Sequence, residues 1–282
     1  MSRVHIVTDS NCHIPDALCQ EYHIHVVPCV LMWDGETYAD GVDIRPQEFY
    51  ARLRASRTIP TTAGPIPASF RAIFERLTTD GQSILAILVG SGFSSTLRLA
   101  EQAKDMLPHA SITLIDSHSN AMALGFQVLA AARAATEGKP LDEVISVTQR
   151  AAGATGILFT LHDLDYLYRG GRIGALRRFL GSMLGVRPIA EIRAGSIEPI
   201  ERVRTYHEAE SRLLELTEER VAGRRPLRLA VVHANAEDRA RTLLAAAEER
   251  FRPEESIIHD INPVLGTHVG PGALGLCYCA GI

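Results

Sequence analysis

The chain has 282 residues, 46% of them hydrophobic, which is enough to bury a sizeable core and to build two domains of ordinary size. Its formal net charge is −4, aromatics are few, and no apolar run approaches the roughly 18–20 residues of a membrane span, which argues against nucleic-acid binding and stable membrane insertion. Five cysteines, an odd number without a second ligand pair at zinc spacing, read as reduced thiols, so neither a disulfide framework nor a metal site is expected, and the compartment expected is the cytoplasm.

Val4 to Thr8 opens an alternation of apolar strand-like runs with segments of 3.6-residue periodicity, continued by Ile24 to Met32, Ile84 to Val89 and Ile112 to Ile115. That alternation predicts a parallel α/β sheet. Asp9-Ser10 closes the first strand at its carboxyl end, where open α/β sheets place ligands, and the same pair would serve equally as a helix N-cap. Pro60 to Pro67 reads as a constrained linker. Gly90 to Thr96 lies between a strand and a helix expected to begin near Ser94, where hydroxyls and free first-turn amides converge as an anion site. It is not a dinucleotide fingerprint, because Ser95 stands where the third glycine belongs, and it lacks the closing glycine of a nucleophile elbow. An alanine-rich helix from about Asn120 to Glu137 stops at Gly138-Lys139-Pro140 before Leu141 starts another.

Past Gly156 the pattern changes. A short helix ends at Gly170-Gly171, either of which suits a left-handed C-cap that aims Arg172 away from the helix axis. Between Arg169 and Arg204 eight arginines face three acids, Glu191, Glu198 and Glu201; the excess fits a solvated face or a docking surface for an acidic partner. Ile189 to Arg193 and Ile197 to Val203 flank Ala194-Gly195-Ser196 as a hairpin, and helices are predicted over 208–221 and 236–250. Strand-like runs at Leu227 to Val232, Ser256 to Ile261 and Leu276 to Ala280 complete an α+β unit. Asn262 to Gly272 reads as a glycine-rich loop that holds Thr267 and His268 for a polar or anionic guest, the plain alternative being a turn with a satisfied histidine.

Five segments, Ile6 to Ser10, Thr62 to Phe70, Ser91 to Thr96, Arg169 to Ile173 and Gly266 to Gly272, together resemble the DegV family of bacterial fatty-acid-binding proteins over nearly the full chain. The resemblance implies an N-terminal parallel-sheet α/β lipid-binding domain (1–155), a C-terminal α+β domain with a largely antiparallel sheet (156–282), and a ligand tunnel between them. It implies a binding protein, not an enzyme. Such a protein encloses a long-chain fatty acid, its alkyl chain running into the N-terminal domain, and presents the carboxylate to a separate fatty acid kinase that makes an acyl phosphate for phospholipid synthesis; no other cofactor is implied. Thr62, Ser94, Thr267, His268 and Arg172 become the head-group residues, and Arg172 with Arg204 the kinase-docking pair. Ala63 and Gly64 replace the family's serine and glutamine, and Ser95 its usual glycine. Phe93, Leu124, Phe126 and Leu129 either line the tunnel or pack the core. Ser94, Asp163 and His268 also fall in the serine–acid–histidine order of α/β-hydrolases, so a serine acyl hydrolase is an alternative, and His268 as a phosphohistidine carrier is another.

Overall fold

The computed structural model describes residues 4–78, 82–162, 164–177 and 185–282; Asp163 and Arg178 lie outside the described residues. The chain opens with β1 (Val4–Asp9), a 3₁₀ turn (Ser10–Cys12), α1 (Asp16–Glu21) and β2 (His25–Val27). It then departs through β3 (Val30–Trp33), β4 (Glu36–Ala39), α2 (Pro46–Ala55) and β5 (Thr61–Ala63). With α3 (Pro67–Leu77), β6 (Ser83–Leu88), α4 (Thr96–Asp105) and β7 (Ser111–Asp116) it returns to a four-stranded parallel sheet ordered β2-β1-β6-β7. Every residue of β6 is buried, as a strand covered on both faces requires.

The departure forms a second, three-stranded antiparallel sheet ordered β4-β3-β5, which corrects two expectations. The apolar run from Ile24 to Met32 is two strands in two sheets, divided at Pro28, which has no N–H to offer a ladder. The proline-bounded linker contains β5, whose Thr62 pairs with Leu31.

Next come α5 (Ala121–Thr136), α6 (Leu141–Ala154) and β8 (Thr155–Thr160), so position 155/156 falls at the start of a new sheet. The rest of the chain supplies α7 (Asp165–Arg169), β9 (Arg187–Arg193), β10 (Ser196–Val203), α8 (Tyr206–Val221), β11 (Leu227–His233), α9 (Glu237–Phe251), β12 (Glu255–Asp260), α10 (Pro263–Val269) and β13 (Leu274–Ala280). Six of these strands form a sheet ordered β10-β9-β8-β13-β11-β12, antiparallel except for β11 beside β12. The β9–β10 turn is Ala194 and Gly195, with φ of 46° and 76°, the left-handed pair of a two-residue hairpin.

Alternation sorts this sheet's side chains. Ile157, Phe159, Val232 and Cys277 join the same core as α5, while Leu158, Leu229, Val231 and Leu276 pack with α8 and α9. Helix α5 buries 12 of its 16 residues, and it lies against β1 and the 3₁₀ turn on one side and β8 and β13 on the other. Gly125 lets it approach closely, since a Cβ there would stand 2.5 Å from the Cys12 carbonyl oxygen. One apolar cluster therefore runs from the parallel sheet through α5 to the six-stranded sheet. Leu124, fully buried in α5, is part of it, and Leu124→Ala is expected to lower stability by about 2–5 kcal/mol. Urea unfolding followed by Trp33 fluorescence and by far-ultraviolet circular dichroism should give coincident transitions at the lowered midpoint.

Candidate functional site

The segment expected as a glycine-rich loop is the helix α10. Asn262 caps it, its Oδ1 accepting from the Leu265 amide at 2.9 Å, and Pro263 occupies the first turn, where a missing N–H is harmless. The glycine at 266 reflects packing, because a Cβ there would stand 2.6 Å from the Tyr50 hydroxyl of α2. Inside this helix the Thr267 hydroxyl donates to the Pro263 carbonyl at 2.9 Å, and Thr267 does not line the cavity described below.

His268, one residue on, points elsewhere. Its Nε2 lies 2.7 Å from Thr62 Oγ1, while Nδ1 has no hydrogen-bond partner. Gly170 sits directly over that Nδ1, and any Cβ at 170 would collide with it. Helix α7 ends with the Arg172 amide bonded to the Leu167 carbonyl at 3.0 Å and the Gly171 amide to Tyr168 at 3.1 Å; Gly171, at φ 69°, is the left-handed member of the pair. The turn aims the Arg172 guanidinium at two carbonyls, Nε donating to Phe93 at 3.1 Å and Nη1 to Gly170 at 2.7 Å.

Burial, with the Arg172 charge nearby, pushes the His268 imidazole down to about 4, so the ring is neutral near pH 7. Its tautomer is assigned from the hydrogen-bond network. A proton on Nδ1 would be a buried donor facing Gly170 with no acceptor, whereas a bare lone pair there costs less. The proton therefore belongs on Nε2, which donates to Thr62 Oγ1 and leaves the Thr62 O–H free to donate onward. The Ser94 and Thr96 hydroxyls share a bond of 2.8 Å, and the Thr96 amide, in the first turn of α4, donates to Ser94 Oγ at 3.2 Å. Ser95 is the N-cap residue of α4, and its side chain makes no capping bond.

Thr62, Ser94, Ser95, Arg172 and His268 all line one cavity of about 240 Å³ between the parallel and six-stranded sheets. Its walls come from both halves of the chain: Val89, Phe93 and Ala121 from the first, Ile157, Phe159 and Val232 from the second, with Asn11 and Cys29 adding polar lining. Gly275 lines it as well, and a Cβ there would stand 3.0 Å from Val232, so the missing side chain contributes room. Phe93 is a wall residue, whereas Leu124, Phe126 and Leu129 are core. The chemistry is that of an apolar slot ending in hydrogen-bond donors and one guanidinium, a combination complementary to an amphiphile with an anionic head.

Arg204 lies elsewhere, exposed at the start of α8, where its amide donates to Glu208 at 2.9 Å. The acids offset the arginine excess less than the sequence count suggests, because Glu201 and Glu191 also pair with arginines outside the segment, Arg212 and Arg220. Arg193 pairs with Glu191 at 2.5 Å, Glu201 is taken by Arg212 at 2.6 Å, and Arg187 lies over the Tyr206 ring at 4.3 Å.

A family model described as "Uncharacterised protein, DegV family" matches residues 3–281. The chain belongs to the DegV family. A DegV domain-containing protein of Streptomyces coelicolor is 35% identical over 280 residues, which are 98% of each chain. A DegV-family structure from Thermus thermophilus, described as fatty acid binding, matches with a TM-score of 0.93 at 27% identity, covering 99% of both chains. DegV of Bacillus subtilis, described as a fatty acid binding protein, matches with a TM-score of 0.90 at 31% identity, covering 99% of this chain and 100% of that one.

In this DegV-family chain the contact least visible in the sequence is Gly170 on His268. The glycine pair reads there only as a helix stop. Gly170 has φ −73°, so alanine fits its backbone, and only the added methyl is at issue. Gly170→Ala is expected to turn the ring off Thr62 toward water. A histidine titration by NMR should then move the His268 pKa up from about 4 toward the ordinary imidazole value.

Proposed function

We propose that this chain encloses one long-chain fatty acid in the cavity and holds its carboxylate at Thr62, Ser94, Arg172 and His268. The observation that carries this reading is the donor set: a Thr62 hydroxyl turned outward by His268 and a guanidinium at the end of a slot with apolar walls. Burying about 14 methylenes at roughly 0.8 kcal/mol each offers on the order of 11 kcal/mol before ordering costs. A carboxylate taken from water costs several kcal/mol unless donors or a cation meet it, and these residues supply both. Thr267 serves instead by bracing α10 from within. Ser95, free of a capping bond, adds a hydroxyl that compensates for the serine replaced by Ala63. The fatty acid binding described for the Thermus and Bacillus structures supports the same reading.

The chain acts as a carrier in this reading, and a separate fatty acid kinase phosphorylates the presented carboxylate. Arg172, at the mouth, and Arg204, on the exposed start of α8, face that kinase. Residues 1–155 and 156–282 are the two domains, and the compartment is the cytoplasm, where buried reduced thiols such as Cys12, Cys29 and Cys277 suit the redox poise. Among the described residues no helix is long and apolar enough to cross a membrane. A hydrolase would need His268 on Ser94 with a carboxylate behind the ring; His268 bonds Thr62 instead, and Ser94 bonds Thr96.

Denaturing extraction and mass spectrometry should recover about one fatty acid per chain from the purified protein and less from His268→Ala. An empty wild type that also takes up no added fatty acid would overturn the reading. With a fatty acid kinase present, Arg204→Glu should slow acyl phosphate formation about tenfold, the effect of ~1.4 kcal/mol at a docking contact, while the acid stays bound.

A further inference from the structure

Thr62 is not the only hold that the small antiparallel sheet has on α10. Asp40 directly follows β4, is 2% exposed, and meets the other end of that helix. Its Oδ2 accepts from Ser10 Oγ at 2.6 Å and from Asn262 Nδ2, and its Oδ1 accepts from the Val264 amide at 3.3 Å. Each donor's direction is fixed independently. Ser10 Oγ already accepts from the Cys29 amide at 3.1 Å, so its proton goes to Asp40. Asn262 Oδ1 caps Leu265, so its NH₂ faces Asp40. Asp40 thus meets donors only, and an added proton on it would displace one of them.

We propose that Asp40 is a positioning residue for the head-group site, fixing the N-terminus of α10 so that His268, at the helix's other end, meets Thr62 of the same small sheet. This rests on the fatty-acid reading for its ligand, but the geometry exists without one. One point on the small sheet, Thr62, and one just past its β4 strand, Asp40, grip one short helix, and loosening either lets the helix tilt.

The grip responds to pH. Burial and the neighbouring Asp9 carboxylate push Asp40 up to about 7. The titratable groups that act on it or feel it are Asp9 on β1, the Cys29 thiol and Tyr50 on α2; one step further out, His13 accepts from the Asn262 amide and Asp260 on β12 acts on Tyr50. Burial holds His13 down at about 3 and raises Cys29 and Tyr50, so these three stay neutral near pH 7. Among the described residues no cation pairs with Asp40. The ionised form is the one the donors fit, so the grip is complete above about pH 7 and slackens below it.

The test is oleate affinity of delipidated protein from pH 6 to 8.5 by calorimetry, with histidine NMR of the unliganded protein alongside. Wild-type affinity should rise at least about fivefold across the range, beyond any change from the oleate itself. Ser10→Ala should move the midpoint to higher pH, because it removes a donor that favours the carboxylate. Asp40→Asn should bind more weakly and with a flat profile, and the pH-dependent shift of the His268 ring signals should vanish in it. Ser10→Ala removes a single hydroxyl, so it decides the matter should Asp40→Asn fail to fold. A Ser10→Ala profile superimposed on the wild type, or His268 signals that ignore both substitutions, would overturn the proposal. If wild type binds no oleate at any pH, the fatty-acid reading fails alone, and the NMR arm still judges Asp40.

Discussion

Helix α5 has no polar face. A helix of that kind must be covered on all sides, and the parallel sheet, the six-stranded sheet and α6 share the covering. The parallel sheet and the six-stranded sheet are therefore held face to face across it, their inner side chains merged into one cluster. The cavity begins where this filling stops. Asn120 and Ala121, at the first turn of α5, are among its lining, so the space lies between two sheets that the helix separates but does not occupy at that end. The cavity is in this sense space that the core leaves unfilled.

Much of this is legible in the residue pattern. The strand–helix alternation of the first half, the Ala194-Gly195 hairpin, the stripes of α8 and α9 and the glycine stop before Arg172 all arise from local rules acting on neighbouring residues. What the pattern hides depends on partners distant in sequence. Strand β5 is three residues long and owes its identity to β3, so Thr62 looks like part of a linker until Leu31 is beside it. Gly266 looks like a loop residue because the Tyr50 ring that requires it is more than two hundred positions away. Thr267 and His268 are adjacent in sequence and equally polar, yet helical geometry turns one toward its own backbone and the other toward Thr62.

Two neutral histidines share a way of working. His13 accepts from the Asn262 amide at 3.1 Å through Nε2, so its Nδ1 proton goes to the Asn11 carbonyl 2.8 Å away. His268 donates through Nε2 and leaves Nδ1 bare. Burial keeps both rings uncharged, and an uncharged ring has one donor and one acceptor, so each fixes the direction of its neighbours' hydrogen bonds. A lysine or arginine in either place would supply charge without that directionality.

Gly92 meets the Gly195 carbonyl so closely that no Cβ fits, and Gly266 meets Tyr50 in the same way. In each pair one partner comes from the parallel-sheet half and the other from the six-stranded half. The halves are thus matched at the scale of a single methyl group, with no slack to absorb change on one side only. Exchange of whole halves between diverged relatives would have to rematch the shared apolar cluster and these two contacts at once. Lineages are expected to inherit the halves as a unit, although each contains a sheet of its own.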